Sequence, residues 1–593
     1  MLKIVKTNIV RQLAKNNSIN FFTLFLLLVI TLINIWFYHQ QLQFASYDYS
    51  KIWISFYCWL ICLWFGLILA WSWLAASAKK KLLNIFQSDW KYLLVVLSFA
   101  GILRFLFLSS LDFVFVGDSL REVGSNALPI LDNKKFDPFG LGSYCGYGNL
   151  MPFIGSWFIK IFGTTALSPR LPSAIMGVLS ILFLYLLVRI WQDRKTALIA
   201  SLLLSFSLRH LFYSRTEMVI ISPTFFLTLF LLSIYLIKTS KTGWLLLGLV
   251  TGLSFHFYVA TRPISLIVFL YVFFSQFNLY RKKIIIFFSL ILRYFVGFLI
   301  GFGPAIVHLT YKSTGAGTWF FQQEKFAELN SFGRISFLLH QYFSALANNF
   351  FSSTSPIHFP VVSSILEFPL NFLTLVAVLL MLNKKYRNYL SKLFLILLLS
   401  LPFFLQVFSS DIAQDQRNVT NVVIGSIFGA VALRWFLNLK IPYKIPVIVT
   451  SLILFLNFIN TTKSYFYDKV SYASYINTQD DFSLQAISNH INIYKKFYQE
   501  ADTRIIVVYD QPRLLHIQEK MMYFAFPIQI NLISPAEYLT YSTPTDAVYY
   551  FADDYGMLLP EATKYEINCK QTLWPQYKCP LDSESYSFFV RGG

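Results

Sequence analysis

Charge is what this chain has least of. Only 13% of its 593 residues are Asp, Glu, Lys or Arg, against roughly 25% in soluble domains. Acid is the scarcer sign: 29 Asp and Glu against 49 Lys and Arg give a formal charge of +20. The five cysteines and eight histidines form no C-x-x-C and no His-rich spacing, so no metal-ligand motif is present. No glycine-rich phosphate loop follows any strand-like run, which leaves nucleotide binding without support. No internal repeat or low-complexity stretch stands out.

In place of charge the chain has apolar and aromatic residues, 56% and 19% of the total, with 62 Phe and 35 Tyr. That composition belongs to a polytopic membrane protein. Thirteen apolar runs are each near the roughly 20 residues needed to span a bilayer. They lie at about 21–37, 52–76, 92–115, 171–190, 196–213, 218–237, 243–258, 263–279, 284–310, 361–382, 393–409, 419–437 and 445–460. The basic lead before the first run (Lys3, Lys6, Arg11, Lys15) is long, and no small-x-small cleavage site follows it. The first run therefore reads as a retained helix rather than a signal peptide.

Lys and Arg recur in short clusters between these runs: 79–91, 189–195, 238–241, 281–283, 384–392 and 440–444. Their placement fits cytoplasmic loops under the positive-inside rule, and not a nucleic-acid partner. With the N-terminus inside, the loop 114–170, the segments 209–217, 256–262, 311–360 and 409–417, and the C-terminal region 461–593 all fall on the outer face. Apolar runs in 461–593 shorten to strand length at Arg504–Tyr509, Gln529–Ile533 and Ala547–Phe551, between helix-like stretches. The expected fold is thus a bundle of about thirteen transmembrane helices with an extracytoplasmic α/β domain, its sheet largely parallel. On that face Cys569 and Cys579 are candidates for a disulfide.

One polar stretch interrupts the apolar pattern, from Val114 to Leu150. It holds Asp118 and Glu122 with Arg121 between them. Residues 118–128 read as a short helix ending at Pro129, which sets the two acids four apart on one face. Long loops of this kind are often functional.

The motifs downstream resemble a known group. Asp118, Gly124 and the run Ala127-Leu128-Pro129-Ile130-Leu131 come first. Ile161-Phe162-Gly163 and Ser168-Pro169-Arg170-Leu171-Pro172-Ser173-Ala174 follow. Then come His210, Ser214-Arg215 and Glu217, and last Gly248, Gly252-Leu253, His256, Tyr258 and Arg262. In this order, over about residues 92–270, they resemble the GT-C polytopic glycosyltransferases, in the branch of protein O-mannosyltransferases and lipid A aminoarabinose transferases. Many relatives have Asp-Glu where this chain has Asp118-Ser119. The resemblance implies inverting transfer of a sugar from a polyprenyl-phosphate carrier, at the outer face, to a lipid, glycan or protein acceptor. It divides the chain into two additional helices (1–91), a GT-C-like core (92–460) and the C-terminal domain (461–593). It implies no certain cofactor, with a divalent metal the one candidate and no metal ligands assigned. The location is the plasma membrane, or the inner membrane of a bacterium.

The chemistry needs a carboxylate to take the acceptor's proton. Asp118 is the candidate base, and Glu122 a second catalytic carboxylate that would hold the acceptor or a metal. The leaving phosphate needs preorganised cations, which Arg supplies through its fork. Arg215, Arg262 and Arg417 are the candidates. His256, Tyr258 and Glu217 are the candidates for substrate contact, with Lys325 and His358 weaker ones and Arg170 an anchor for the loop. The alternatives are a flippase for a lipid-linked sugar and a non-catalytic assembly protein. The topology is testable: cysteines introduced at Ser119 and Ser534 should label from outside, and one at Lys385 only from the cytoplasm. Labelling of the first two only from the cytoplasm overturns the assignment.

Overall fold

A computed structural model describes residues 2–43, 48–74, 76–109, 123–131, 136–141, 148–239, 243–309, 330–351, 364–382, 389–406, 417–442 and 444–467. In the C-terminal region it describes 487, 490–491, 504–508, 523, 526, 528, 530–534, 537–538, 547–552, 563–568 and 585–592. Asp118, Glu122, Lys325, His358, Cys145, Cys569 and Cys579 lie outside the described residues.

The helices, in chain order, are α1 (Leu2–Gln43), α2 (Tyr49–Trp73), α3 (Ala76–Ser88), α4 (Trp90–Phe105) and α5 (Leu150–Phe162). Next come α6 (Leu171–Trp191), α7 (Arg194–Ser205), α8 (Leu208–Ser214), α9 (Ser222–Thr239) and α10 (Gly243–Ser254). Then follow α11 (Thr261–Tyr280), α12 (Ile284–Phe302), α13 (Ser331–Phe350), α14 (Leu370–Leu382), α15 (Tyr389–Gln406), α16 (Thr420–Leu437) and α17 (Lys444–Thr462). The protein is a polytopic α-helical membrane protein. Among the described residues eight helices are long and apolar enough to cross a bilayer, or nine if the bent pair α7–α8 is one span. The other four apolar runs lie on α4, α10, α14 and α15, which are shorter than a full span or described over only part of their length.

Two of the basic loops, 79–91 and 189–195, meet. Lys81 Nζ donates to Ile190 O at 3.2 Å and to Tyr235 Oη at 3.0 Å. Asp89 accepts from Arg189 at 2.6 Å and from Arg194 at 2.7 Å. Burial pushes the Asp89 carboxyl up, but bonds from Arg189, Ser88, Arg194 and Tyr185 outweigh it and hold the group below the usual carboxylate range. Asp193 meets Arg434 at 2.8 Å. Loops far apart in sequence and assigned to one face by their charge are thus brought together by ion pairs.

Packing between spans relies on small residues. Gly248 and Gly252 on α10 face Gly297 and Gly301 on α12, each helix carrying a G-x-x-x-G. A Cβ on Gly252 would lie 2.3 Å from Phe298 O, and one on Gly301 would lie 2.3 Å from Leu249 O. Backbones in bilayers approach this closely only where side chains are absent. The G-x-x-x-G-L motif therefore has a packing function of its own. The first two helices join the same assembly. Asn34 and Ser55 exchange hydrogen bonds of 2.9 and 2.8 Å, and Trp59 Nε1 donates to Ile300 O at 2.9 Å. Tyr38 Oη is 2.5 Å from Asp137 and 2.6 Å from His308, tying α1 to the loop after α4 and to the end of α12.

In the C-terminal region the three expected strands are present as β1 (Arg504–Val508), β2 (Ile530–Ile533) and β3 (Ala547–Ala552). Two further strands, β4 (Thr563–Asn568) and β5 (Ser585–Gly592), complete the order β2-β1-β3-β5-β4. β1 pairs in parallel with β2 and β3, while β5 runs antiparallel to β3 and β4. The sheet is therefore mixed rather than largely parallel. The missed strands alternate polar and apolar residues (TKYEIN, SYSFFVRG) instead of forming an apolar run. Tyr523, fully buried, donates to Thr165 O at 3.1 Å. This places it on the side of the loop that precedes α6.

The glycine contact predicts a stability loss. Gly252→Ala forces the α10 and α12 backbones apart and should cost about 1–3 kcal/mol, as overpacking typically does. Gly101→Ala, where nothing lies within 4 Å of the added Cβ, should leave the melting temperature unchanged. Thermal unfolding of both variants in nanodiscs checks this. Equal melting temperatures would show that the close approach is not needed.

Candidate functional site

The site is assembled where α4 ends and the loop to residue 148 begins. α4 carries a buried arginine, Arg104, one residue before its end at Phe105. Opposite it the chain breaks: α7 and α8 meet at 64° around Phe206 and Ser207. Two contacts stabilise the break. Ser207 caps α8 by accepting from His210 N at 3.4 Å, and Thr461 Oγ1 on α17 donates to the carbonyl of Phe206. A broken span is tolerated where neighbouring groups take up the freed backbone.

α8 then presents His210, Ser214 and, at its C-cap, Arg215. Arg104 Nη2 is 2.7 Å from His210 Nδ1, Arg104 Nε donates to Ser214 Oγ at 3.3 Å, and Arg104 Nη1 donates to Ala100 O at 3.2 Å. Arg215 Nη1 donates to Leu103 O at 2.6 Å. Its guanidinium lies over the rings of Tyr465 (5.1 Å) and Phe466 (5.0 Å) at the end of α17. Gly177 on α6 completes the seat, since a Cβ there would lie 2.4 Å from Ser214 Oγ and 3.0 Å from Arg104 Nε.

The electrostatics are one-sided. Arg104 and Arg215 are close enough to repel each other, and both are buried. Among the described residues neither is in an ion pair. Their neighbours are paired: Arg170 with Glu217 at 3.2 Å and Arg209 with Glu367 at 3.9 Å. Arginine cannot accept a hydrogen bond, so His210 Nδ1 must be the acceptor from Arg104, and the neutral ring carries its proton on Nε2. Among the described residues, that Nε2, and Nε and Nη2 of Arg215, are buried with no hydrogen-bond partner. All three are donors. Buried charge without a counter-charge is costly, and this arrangement is complementary to an anion with several acceptor oxygens.

The sequence candidates separate into groups. Arg215 is in this cluster. Arg262 is half-buried over the Phe255 ring at 5.8 Å. Arg417 is half-buried in the turn before α16. Glu217, a candidate for substrate contact, is the buried partner of Arg170, whose Nη1 also holds Leu108 O at 3.0 Å. His256 is buried between Trp59 and Phe302, its Nε2 3.0 Å from Phe302 O. Gly148 lies against its backbone, so it fastens the loop to the α10–α11 turn. Tyr258 is buried, its N–H 3.4 Å from Ser222 Oγ. Arg104 was missed, although an ionisable residue inside an apolar run is itself a signal.

Comparison with known proteins follows from this geometry. Residues 149–302 match the family model described as dolichyl-phosphate-mannose-protein mannosyltransferase. No curated protein matches the chain. The apo oligosaccharyltransferase of Archaeoglobus fulgidus is similar at 17% identity and a TM-score of 0.47, covering 76% of this chain and 65% of its own. ArnT from Cupriavidus metallidurans bound to undecaprenyl phosphate is similar at 11% identity and a TM-score of 0.47, covering 84% of this chain and 98% of its own. The chain thus spans about two thirds of the archaeal protein's length. At these TM-scores the assignment rests on the family match. From α5 to the end of α12, the stretch that holds most of the motifs, the resemblance to the GT-C glycosyltransferases of the protein O-mannosyltransferase branch is shown.

Proposed function

We propose that this chain is an inverting glycosyltransferase that moves a sugar from a polyprenyl-phosphate carrier to an acceptor hydroxyl at the outer membrane face. One observation carries the reading. Arg215 and His210 hold N–H donors with no acceptor among the described residues, beside a second buried arginine, at the end of α4 that leads into the Asp118 loop. A phosphate ester supplies the acceptor oxygens and the negative charge that this cluster needs. The family match, whose description names a polyprenyl-phosphate sugar of this class, points the same way.

In the proposed step the acceptor oxygen attacks the anomeric carbon from the face opposite the phosphate. Its proton passes to the Asp118 carboxylate as the new C–O bond forms. The bond from the anomeric carbon to the phosphate oxygen breaks, and the electron pair leaves with polyprenyl phosphate. Charge grows on that oxygen in the transition state, and Arg215 with His210 Nε2–H stabilises it there. Arg104 positions His210 by holding Nδ1 as an acceptor. Arg262 and Arg417 are assigned to the rest of the carrier's headgroup. Glu122 is assigned to the acceptor.

The test uses purified protein, a labelled polyprenyl-phosphate sugar and a panel of acceptors. Asp118→Asn should lower turnover by about 10²–10⁴, the usual cost of losing a general base, with donor binding intact. Arg215→Ala should lower kcat/KM by about 10- to 100-fold through loss of charged hydrogen bonds, with Arg215→Lys recovering part of it. Near-normal turnover by a folded Asp118→Asn protein removes Asp118 as the base. Donor left intact by the wild type with every acceptor overturns the transferase.

A further inference from the structure

A second group of buried polar side chains lies at the other end of α8, and it is uncharged. α13 buries one stripe made of Gln341, Ala345, Asn348 and Asn349, at the i, i+4, i+7 and i+8 positions of a single helix face. Three of the four are carboxamides. The start of α16 buries Asn418, Thr420 and Asn421, each with no exposed surface. The two elements are joined there, since Asn421 Nδ2 donates to Asn349 Oδ1 at 2.9 Å.

Most of the hydrogen-bonding capacity of this cluster is unused. Among the described residues, both amide atoms of Gln341 and of Asn418, Nδ2 of Asn349, Oδ1 of Asn421 and Oγ1 of Thr420 are buried with no partner. Such groups in a native protein call for a ligand or ordered water. Their chemistry narrows the ligand. Donors and acceptors are both present, and exchanging O and N in any amide leaves both present. An anion would only accept and would leave the carbonyl oxygens unmet. A cation would leave the N–H groups unmet, and an apolar chain would satisfy neither. A ring carrying several hydroxyls both donates and accepts without charge, and it matches.

The position agrees. Backbone bonds from Ile365 and Leu366 to the carbonyls of Asn348 and Asn349 bring the 364–367 segment against α13. Glu367 from that segment accepts from Leu208 N at 3.1 Å, at the start of α8. The anion-seeking Arg215 is the C-cap of the same helix, seven residues long, so it lies about 10 Å from Leu208 along the axis, and the carboxamides are reached from Leu208 through Glu367 and the 364–367 segment.

We propose that Gln341, Asn349, Asn418, Thr420 and Asn421 form a saccharide subsite between α13 and α16. The inference rests on the transferase reading for the identity of the phosphate neighbour. The hydroxylated ring is that of the donor or of a glycan acceptor, and the experiment separates the two. Full-length protein in nanodiscs is titrated with polyprenyl-phosphate mannose and with bare polyprenyl phosphate. The carrier-saturated protein is then titrated with methyl mannoside. Asn418→Leu and the shape-conserving Thr420→Val are compared with wild type.

For a donor subsite, both variants bind polyprenyl-phosphate mannose at least tenfold more weakly and the bare carrier as before. For an acceptor subsite, only the methyl mannoside affinity falls by that factor. Wild-type affinities in both titrations for a folded Thr420→Val protein would overturn the subsite and leave the cluster to ordered water. A wild type that prefers the sugar-bearing carrier yet releases no polyprenyl phosphate would overturn the transferase and leave the subsite standing.

Discussion

A guanidinium inside a membrane protein has to be answered, and the way each is answered orders this structure. Four arginines are buried around the junction of α4, α6 and α8: Arg104, Arg170, Arg209 and Arg215. Two of them face carboxylates. Arg170 meets Glu217 and fixes the loop's end to the turn after α8. Arg209 meets Glu367 and fixes the start of α8 to the segment before α14. With those two contacts the short helix is held at both ends, so His210 and Arg215 have little freedom. The remaining pair, Arg104 and Arg215, is left with positive charge and open N–H bonds. Desolvation makes such a pair unfavourable by itself and favourable toward an anion, which is the preorganisation that departing phosphate requires.

The break between α7 and α8 makes this arrangement possible. An uninterrupted helix over 194–214 would carry Arg215 along the same axis, away from the end of α4. Bending at Ser207 turns seven residues across the bundle, so that one end meets the Glu367 carboxylate and the other, at Arg215, faces Arg104. The same bend frees backbone groups, and Thr461 takes one of them. α17 thereby supplies both the cap and, through Tyr465 and Phe466, the aromatic floor under Arg215. Support of this kind, from an element more than 240 residues away in sequence, explains how a broken helix persists in a hydrophobic bundle.

The opposite face is built on a different logic. There the buried Asp89 holds Arg189 and Arg194, and the more exposed Asp193 holds Arg434, so that both acids fasten other helices. The long α10–α12 contact, glycine against backbone, sets the distance between spans without any polar group. Rigid packing in the bilayer and open hydrogen-bonding at one rim are complementary features of one scaffold.

The sequence by itself determined the class of this protein, because scarcity of charge and runs of apolar residues follow from the solvent the chain lives in. It marked the loops 79–91 and 189–195 as sharing a face by their basic residues, and the hydrogen bond of Lys81 to the Ile190 carbonyl and the ion pairs of Asp89 join those two loops. It also made Arg215 legible, through a motif at fixed spacing. What it did not contain is the pairing of groups distant in the chain. That Glu217 is paired with Arg170, and His256 with the carbonyl of Phe302, cannot be read from their spacing. Arg104 looks like a residue within an apolar run until His210 and Arg215 are seen around it. Asn349 and Asn421, 72 positions apart, have no motif at all. Only tertiary structure decides which buried polar atoms are satisfied, because satisfaction is a property of neighbours in space and not of spacing along the chain.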